Sequence, residues 1–107
     1  MAYPLPMTST DRVRALALSL GGAVEAPHHG FPSFRAGGRI FATLPDPEHL
    51  HAMVAEEEVP GLVGAHAACE ELWWGKRLAG VRVELGAAGE ALVEALLLAA
   101  WERARRR

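Results

Sequence analysis

The sequence predicts a two-layer α+β domain, with an antiparallel sheet covered on one face by helices. Two Gly-containing turns lie between strand-like segments, and segments with helical periodicity lie towards both ends of the chain. The chain has 107 residues, of which half are hydrophobic and 22% are charged, which suits one core and argues against disorder. We therefore expect a single domain over 1–107 with the element order α-β-β-β-α-β-β-α.

The first helix is predicted over 11–20. Hydroxyl side chains at 8–10 can cap its free N–H groups, and the Gly pair at 21–22 supplies a left-handed stop. The predicted buried stripe consists of the apolar residues at helical spacing, Val13, Leu16, Ala17 and Leu20.

A first β-hairpin is predicted around Gly37 and Gly38, because a two-residue Gly-Gly loop between strand-like segments is a strong hairpin signal. Its strands are predicted over 31–36 and 39–44. With this turn, Phe34 pairs with Phe41 on one face of the hairpin. On the other face, Arg35 pairs with Ile40.

A third strand is predicted over 49–54, with a short helix as an open alternative. The acids at 56–58 and Pro60 are typical of the first turn of a helix. Carboxylates complement the dipole at a helix N-terminus, and proline is tolerated there. The second helix is therefore predicted from 56 to about 67.

The second hairpin is predicted around Gly75 and Lys76, with strands over 72–74 and 77–85. Trp74 then pairs with Arg77, and Leu72 pairs with Ala79. Alternation predicts one buried face, formed by Leu72, Trp74, Ala79, Val81, Val83 and Leu85. It places on the opposite face Trp73, Leu78, Arg82 and Glu84.

The last helix is predicted over 88–104. Its core stripe is predicted to be Leu92, Leu96, Ala99 and Ala100. Further apolar residues widen this surface, namely Val93, Leu97, Leu98 and Trp101. The helix is therefore expected either to be deeply buried or to contact a partner.

Charge is distributed unevenly along the chain. Residues 1–44 carry a net charge of +2, residues 45–71 carry seven acids and no Lys or Arg, and residues 72–107 carry a net charge of +3. The total of −2 excludes a wholly basic chromatin-type protein. The sequence therefore predicts one domain with a basic side and an acidic side.

Other patterns limit the location and chemistry of the protein. No apolar run approaches the roughly 18–20 residues of a membrane span, and residues 1–10 lack the pattern of a signal peptide. Cys69 is the only cysteine, so no internal disulfide forms. We therefore expect a cytoplasmic protein with no membrane partner and no cofactor.

Four segments extend together over most of the chain. They are 13–20 (VRALALSL), 27–35 (PHHGFPSFR), 38–42 (GRIFA) and 74–83 (WGKRLAGVRV). These segments resemble the MmcQ/YjbR-like proteins. The resemblance implies a small α+β domain similar to type III secretion chaperones and, more loosely, to frataxin-like folds. It also implies that the two hairpins form a double wing that binds DNA.

Basic residues of the two hairpins are the candidate nucleic-acid contacts. They are Arg35 and Arg39 on the first hairpin, and Lys76, Arg77 and Arg82 on the second, beside Trp73. Cations at hairpin ends suit phosphate contacts, and an exposed Trp can stack on a base. The same pattern is typical of edge charges that prevent unwanted sheet pairing. The arginines at 103–107 either add phosphate contacts or complement the C-terminus of the last helix.

Metal binding and catalysis have weaker signals. Two histidine pairs, His28 with His29 and His49 with His51, could hold a borderline metal ion only if the fold brought them together. The acids at 56–58 are more simply a helix start. Ser33 and Cys69 lack a recognisable nucleophile motif, so we expect a protein that is not an enzyme, with no catalytic residues.

The alternative function is protein–protein interaction, with a homodimer or an unknown partner on the wide apolar face of the last helix. The fold can discriminate between the two functions. Hairpin tips that project together, away from the acidic segment, favour DNA binding. Divergent tips, with Arg35 and Arg82 paired to Glu71 or Glu84, count against it.

Overall fold

The computed structural model confirms the α+β class and describes residues 8–106. The signal-peptide prediction falls mostly on residues outside this range, as does Arg107. In the described range, the helices are α1 (Thr10–Leu18), α2 (Val59–Ala65) and α3 (Glu90–Arg105). The strands are β1 (Val24–His28), β2 (Phe31–Ala36), β3 (Arg39–Asp46), β4 (His49–Ala52), β5 (Cys69–Trp74) and β6 (Arg77–Glu84).

Strand β1 is an addition to the predicted element order. It pairs with β2 across a turn at His29 and Gly30, whose φ angles of 51° and 85° are those of a tight hairpin turn. Sequence patterning missed the strand because it contains Pro27 and does not alternate. An edge strand tolerates a proline, since one of its backbone edges has no hydrogen-bonding partner strand.

All six strands form one antiparallel sheet in the order β1-β2-β3-β4-β6-β5. Because every neighbouring pair is antiparallel, β2, β4 and β5 run in one direction, and β1, β3 and β6 run in the other. The third predicted strand is thus a strand, β4, and not a helix. It lies between the two predicted hairpins and pairs with β6.

The helices bury one face of the sheet in a single large cluster. Side chains from all three helices, such as Val13, Val59 and Leu96, pack there with Phe34 of β2 and Val81 of β6. At the start of α1, Ser9 accepts a hydrogen bond from the backbone N–H of Arg12, as an N-cap residue does. The acids at 56–58 form a single 3₁₀ turn that leads into α2, close to the predicted helix start.

The first hairpin contains a bulge that changes its predicted pairing. Arg35 opposes Ile40 as predicted, but Phe34 opposes Ala42 because Phe41 is an extra residue in β3. Phe41 is nevertheless fully buried in the main core.

A second bulge, in β6, overturns the predicted face of the second hairpin. Trp74 opposes Arg77 as predicted, but Leu72 opposes Gly80, which leaves Ala79 as the extra residue. Leu72 and Ala79 therefore pack with Met53 in a small separate cluster, away from the helices. Trp74 is not buried, and Leu78, predicted on the other face, packs against the main core.

Gly80 follows the extra residue Ala79 and lies against the backbone of β4. Its φ is 157°, and a Cβ at this position would collide with the backbone of Ala52 in β4 and of Met53, the next residue. The absence of a side chain therefore lets β4 and β6 approach closely.

Helix α3 is rotated relative to the predicted stripe. Its buried residues are Val93, Leu96, Leu97, Ala100 and Ala104. Leu92 and Ala99 are only partly buried, whereas Leu98 is exposed. Most of the wide apolar surface is therefore used by the protein's own core. Within residues 8–106, no helix is long and apolar enough to cross a membrane.

Candidate nucleic-acid interface

The turns of both predicted hairpins lie at the same end of the sheet. The first turn, Gly37 and Gly38, follows β2, and the second, Gly75 and Lys76, follows β5. Since β2 and β5 run in the same direction, both turns project from one end. The two turns are three strand spacings apart, which corresponds to about 14 Å in a flat sheet.

Helix α3 brings its C-terminal arginines to the first turn. Arg39 donates a hydrogen bond from Nη1 to the backbone carbonyl of Arg106 over 3.2 Å. Arg105 lies over the ring of Trp101, with its guanidinium carbon 4.4 Å from the ring centroid. The Trp101 indole N–H in turn donates to the carbonyl of Gly21 over 2.8 Å. The terminal basic segment is therefore part of the same surface as the first hairpin.

The second turn presents exposed basic and aromatic side chains. Lys76 and Arg77 are exposed, and the Arg77 guanidinium carbon lies 5.2 Å from the centroid of the Trp74 ring. Trp73 is 51% exposed and donates its indole N–H to Glu71 over 3.1 Å. The cations of both turns and of the end of α3 are here called the basic end: Arg39, Lys76, Arg77, Arg105 and Arg106.

None of the five cations of the basic end forms an ion pair with a carboxylate within residues 8–106. The arginines of α1 differ in this respect. Arg12 pairs with Glu90 at the start of α3, and Arg14 pairs with Glu25 over 2.9 Å. Unpaired positive charge is therefore concentrated at one end of the molecule.

Acidic residues also reach this end. The 3₁₀ turn of Glu56–Glu58 follows β4, and one surface cleft is lined by Glu57, Glu58 and Glu102 together with Arg103 and Arg106. The tips project together, as expected for DNA binding, but they do not project away from the acidic segment. Anions that approach the first turn from the α3 side therefore meet mixed charge.

Two of the predicted contact residues, Arg35 and Arg82, are only partly exposed; Arg35 lies near the first turn, two residues before Gly37, and Arg82 lies away from both turns. Arg82 is in the middle of the sheet, where its Nε forms an ion pair with Glu70 at 3.2 Å and its Nη2 lies 3.9 Å from Asp46. These partners are not Glu71 or Glu84, whose pairing with Arg82 would count against DNA binding, but they neutralise the guanidinium in the same way. Arg35 is partly buried in β2, and its Nε has no hydrogen-bond partner in the described part of the chain.

Arg82 belongs to a polar ladder across the face of the sheet that the helices leave open. Ser33 opposes Thr43, Thr43 opposes His51, His51 opposes Arg82, and Arg82 opposes Glu70. Arg82 donates from Nη1 to Nε2 of His51 over 3.1 Å. Burial, and then the nearby charge of Arg82, lower the pKa of His51 to about 4, so its ring is neutral at pH 7.

The predicted histidine pairs do not come together. His28 and His29 lie at the edge of the sheet, three strands from His49 and His51. In the described residues, the groups close enough to share a metal ion are Asp46, Glu48 and His49. Their short contacts are those of a closed turn, because Asp46 accepts from the backbone N–H of Glu48 and bonds to His49 Nδ1.

The two nucleophiles considered from sequence are enclosed. Ser33 is fully buried and donates its hydroxyl to the carbonyl of Ala26 over 2.7 Å. Cys69 is buried as well, and burial raises the pKa of its thiol. A raised thiol pKa keeps the sulfur protonated and therefore weakly nucleophilic at neutral pH.

Comparison of the chain with protein-family models, with curated proteins and with solved structures found no match. The resemblance to the MmcQ/YjbR-like proteins therefore stays a prediction from the quoted segments.

Proposed function

We propose that the protein binds duplex DNA, weakly and with little sequence preference, through the basic end. The observation that carries the proposal is the shared direction of β2 and β5, which gathers the turns of both hairpins at one end of the sheet. A protein with a net charge of −2 needs such a local concentration of positive charge to attract phosphates.

The spacing of the two turns suits a duplex. Three strand spacings of about 4.8 Å separate them, which is close to the roughly 12 Å width of the major groove of B-DNA. Lys76 and Arg77 on one turn, and Arg39 near the other, can then contact phosphates on opposite walls of one groove. Contacts of this kind position a protein on DNA without reading its sequence.

The proposed contact set differs in part from the set predicted from sequence. It keeps Arg39, Lys76 and Arg77, with Trp73 beside the second turn. It adds Arg105 and Arg106, because α3 ends at the first turn. It sets aside Arg35 and Arg82, since the first is partly buried and the second is already held by two carboxylates.

The test is fluorescence anisotropy of a labelled duplex of about 20 base pairs, titrated with protein at several salt concentrations. Five cations can neutralise at most about five phosphates and so release about five counterions from the DNA. The slope of the logarithm of the binding constant against log[salt] is therefore expected to be shallow, about −3 to −5. The Lys76→Gln/Arg77→Gln variant removes two of these cations. Its affinity is expected to fall at low salt, and its slope to decrease in magnitude by about 2.

The matched control is Arg12→Gln/Arg14→Gln, which removes the same charge from α1, at the other end of α3. Its salt slope is expected to equal that of the wild type, and thermal unfolding checks that both variants are folded. Equal losses in the two variants would show that only net charge matters. No binding at low salt, or unchanged binding by Lys76→Gln/Arg77→Gln, would overturn the proposal.

A further inference from the structure

Strand β5 is an open edge of the sheet. In residues 8–106 it pairs only with β6, and no described strand occupies its outer side. The opposite edge, β1, contains Pro27 and is therefore a poor template for another strand. Strand β5 contains no Pro, Lys or Arg, which are residues that commonly protect an edge against pairing.

The backbone of β5 is suited to pairing along its length. The bulge of this hairpin lies in β6, where Ala79 is the extra residue, so β5 has consecutive partners throughout. At the end nearest the turn, Trp73 is 51% exposed and Trp74 is 40% exposed. By alternation their rings lie on opposite faces of the sheet, so an added strand could pack against an aromatic ring on either face.

Charge is divided along this edge into two halves. Glu70 and Glu71 lie in the first half, and the two Trp residues lead to Lys76 and Arg77 at the turn. When two copies of β5 pair in antiparallel orientation, the acidic half of each faces the aromatic and basic half of the other. Parallel pairing would instead bring like charges together, which is unfavourable.

We propose that the occupant of this edge is a second copy of the chain. Two β5 strands pair antiparallel about a two-fold axis and join two six-stranded sheets into one continuous sheet. The self-complementary charge pattern favours a copy of the chain over an unrelated extended peptide. This dimer surface is not the apolar face of α3 that the sequence suggested, because most of that face packs into the protein's own core.

The test uses charge reversal at the two halves of the edge, measured by sedimentation velocity over about 5–500 µM protein. Glu71→Arg replaces one of the two acids of the edge by a cation, and Arg77→Glu replaces one of its two cations by an acid. In each variant alone, one half of the edge loses its net charge, and this happens at both symmetric ends of the dimer, so the dimer dissociation constant is expected to rise about tenfold. An equimolar mixture of the two variants restores part of the charge complementarity between the halves, and its dimer dissociation constant is expected to be lower than that of either variant alone.

Leu98→Ser is the control, since Leu98 is the exposed apolar residue of α3. It is expected to leave the dimer unchanged. A monomeric wild type over the whole range would overturn the proposal. Wild-type-like association of both single variants, or loss of association in Leu98→Ser alone, would do so as well. Single variants that weaken the dimer without rescue in the mixture would exclude the antiparallel arrangement.

This proposal does not depend on DNA binding, and the experiments separate the two. Glu71→Arg removes no cation of the basic end, so it weakens the dimer without weakening the salt-sensitive binding of the duplex. Failure of one proposal therefore leaves the other testable with the same variants.

Discussion

The two hairpins that carry the candidate site have similar sequences but different surroundings. Each has a Gly-containing turn, an Arg soon after it and one extra residue in its second strand. In the β2–β3 hairpin the extra residue, Phe41, is in the main core, and the last turn of α3 reaches the turn. In the β5–β6 hairpin the extra residue, Ala79, lies in a small separate cluster, and no described strand pairs with the outer side of β5.

Because of this difference, the first hairpin contributes mainly to the stability of the fold, whereas the second is accessible to binding partners. The first hairpin is central in the sheet and packs under α3, so its aromatic residues contribute to folding. The second hairpin forms one edge of the sheet, where two Trp residues and two cations are exposed to solvent. The same local sequence pattern thus supports the core in the β2–β3 hairpin and forms a solvent-exposed surface in the β5–β6 hairpin.

The largest expected effect comes from truncating an aromatic residue in each hairpin. Phe41→Ala removes a fully buried ring and is expected to cost about 4 kcal/mol of unfolding free energy. Trp73→Ala removes a half-exposed ring and is expected to cost less than about 1 kcal/mol. Urea denaturation of dilute protein measures both values, and similar costs for the two variants would contradict the comparison.

The second prediction concerns the bulge in the second hairpin. Gly80→Ala forces a Cβ against the backbone of β4 at a φ that L-residues rarely adopt, and is expected to cost about 3 kcal/mol. Gly86→Ala is the matched control, because no atom lies within 4 Å of its added Cβ. Its cost is expected to stay within about 0.5 kcal/mol. A tolerated Gly80→Ala would mean that the close approach of β4 and β6 can relax freely.

The third prediction concerns His51 in β4, the strand between the two hairpins, and how stability depends on pH. The pKa of His51 is about 4 in the folded protein and 6.5 in the unfolded chain, so the unfolded state binds more protons between these values. Stability is therefore lost as pH falls from 6.5 towards 4. The ring is only partly buried, so solvent screening reduces the expected loss to about 1–2 kcal/mol.

His51→Gln keeps an acceptor for Arg82 but does not titrate. Urea denaturation at several pH values should then show a flatter profile between pH 6.5 and 4 than in the wild type. Below this range both proteins should still lose stability. There the pKa of Asp46, despite the opposing effect of its burial, is held below its ordinary value by hydrogen bonds from His49 and the Glu48 N–H. Identical profiles between pH 6.5 and 4 would contradict the assigned pKa of His51.

The smallest expected effect concerns the contact between α3 and the first turn. Arg39→Gln loses the bond to the Arg106 carbonyl, which is exposed, so the stability change is expected to stay near 0.5 kcal/mol. The sharper measurement is amide hydrogen exchange, which should become faster over residues 103–106. Arg77→Gln, at the second turn, should leave exchange in that segment unchanged. Equal exchange in both variants would show that the bond does not hold the end of α3.

Local patterns predicted most of the elements. The helical stripe of α1, the Gly-containing turns and the acids before α2 each depend on neighbouring residues, and the structure has an element at each position. Strand β1 escaped prediction because its proline and its lack of alternation are acceptable only at an edge, and the sequence does not reveal which strand is at an edge. The extra residues Phe41 and Ala79 were missed because a bulge depends on how the neighbouring strands pack.

The candidate site was predicted less completely than the fold. The charges at the turns were visible in the sequence, whereas the partners of Arg82 were not. Glu70 reaches it only through the pairing of β6 with β5, and Asp46 of β3 only through β4, which lies between β3 and β6. The approach of Arg106 to Arg39 likewise depends on the course of α3 across the sheet.

The sequence by itself determined the α+β class, the turn positions and the cations available at the turns. Those properties follow from periodicity, glycine conformations and composition, all of which act over a few residues. Only the tertiary structure decided which cations stay unpaired within residues 8–106, that both turns share one end, and that no described strand pairs with the outer side of β5. These properties depend on strand order, and strand order is set by burial of the helix face as a whole.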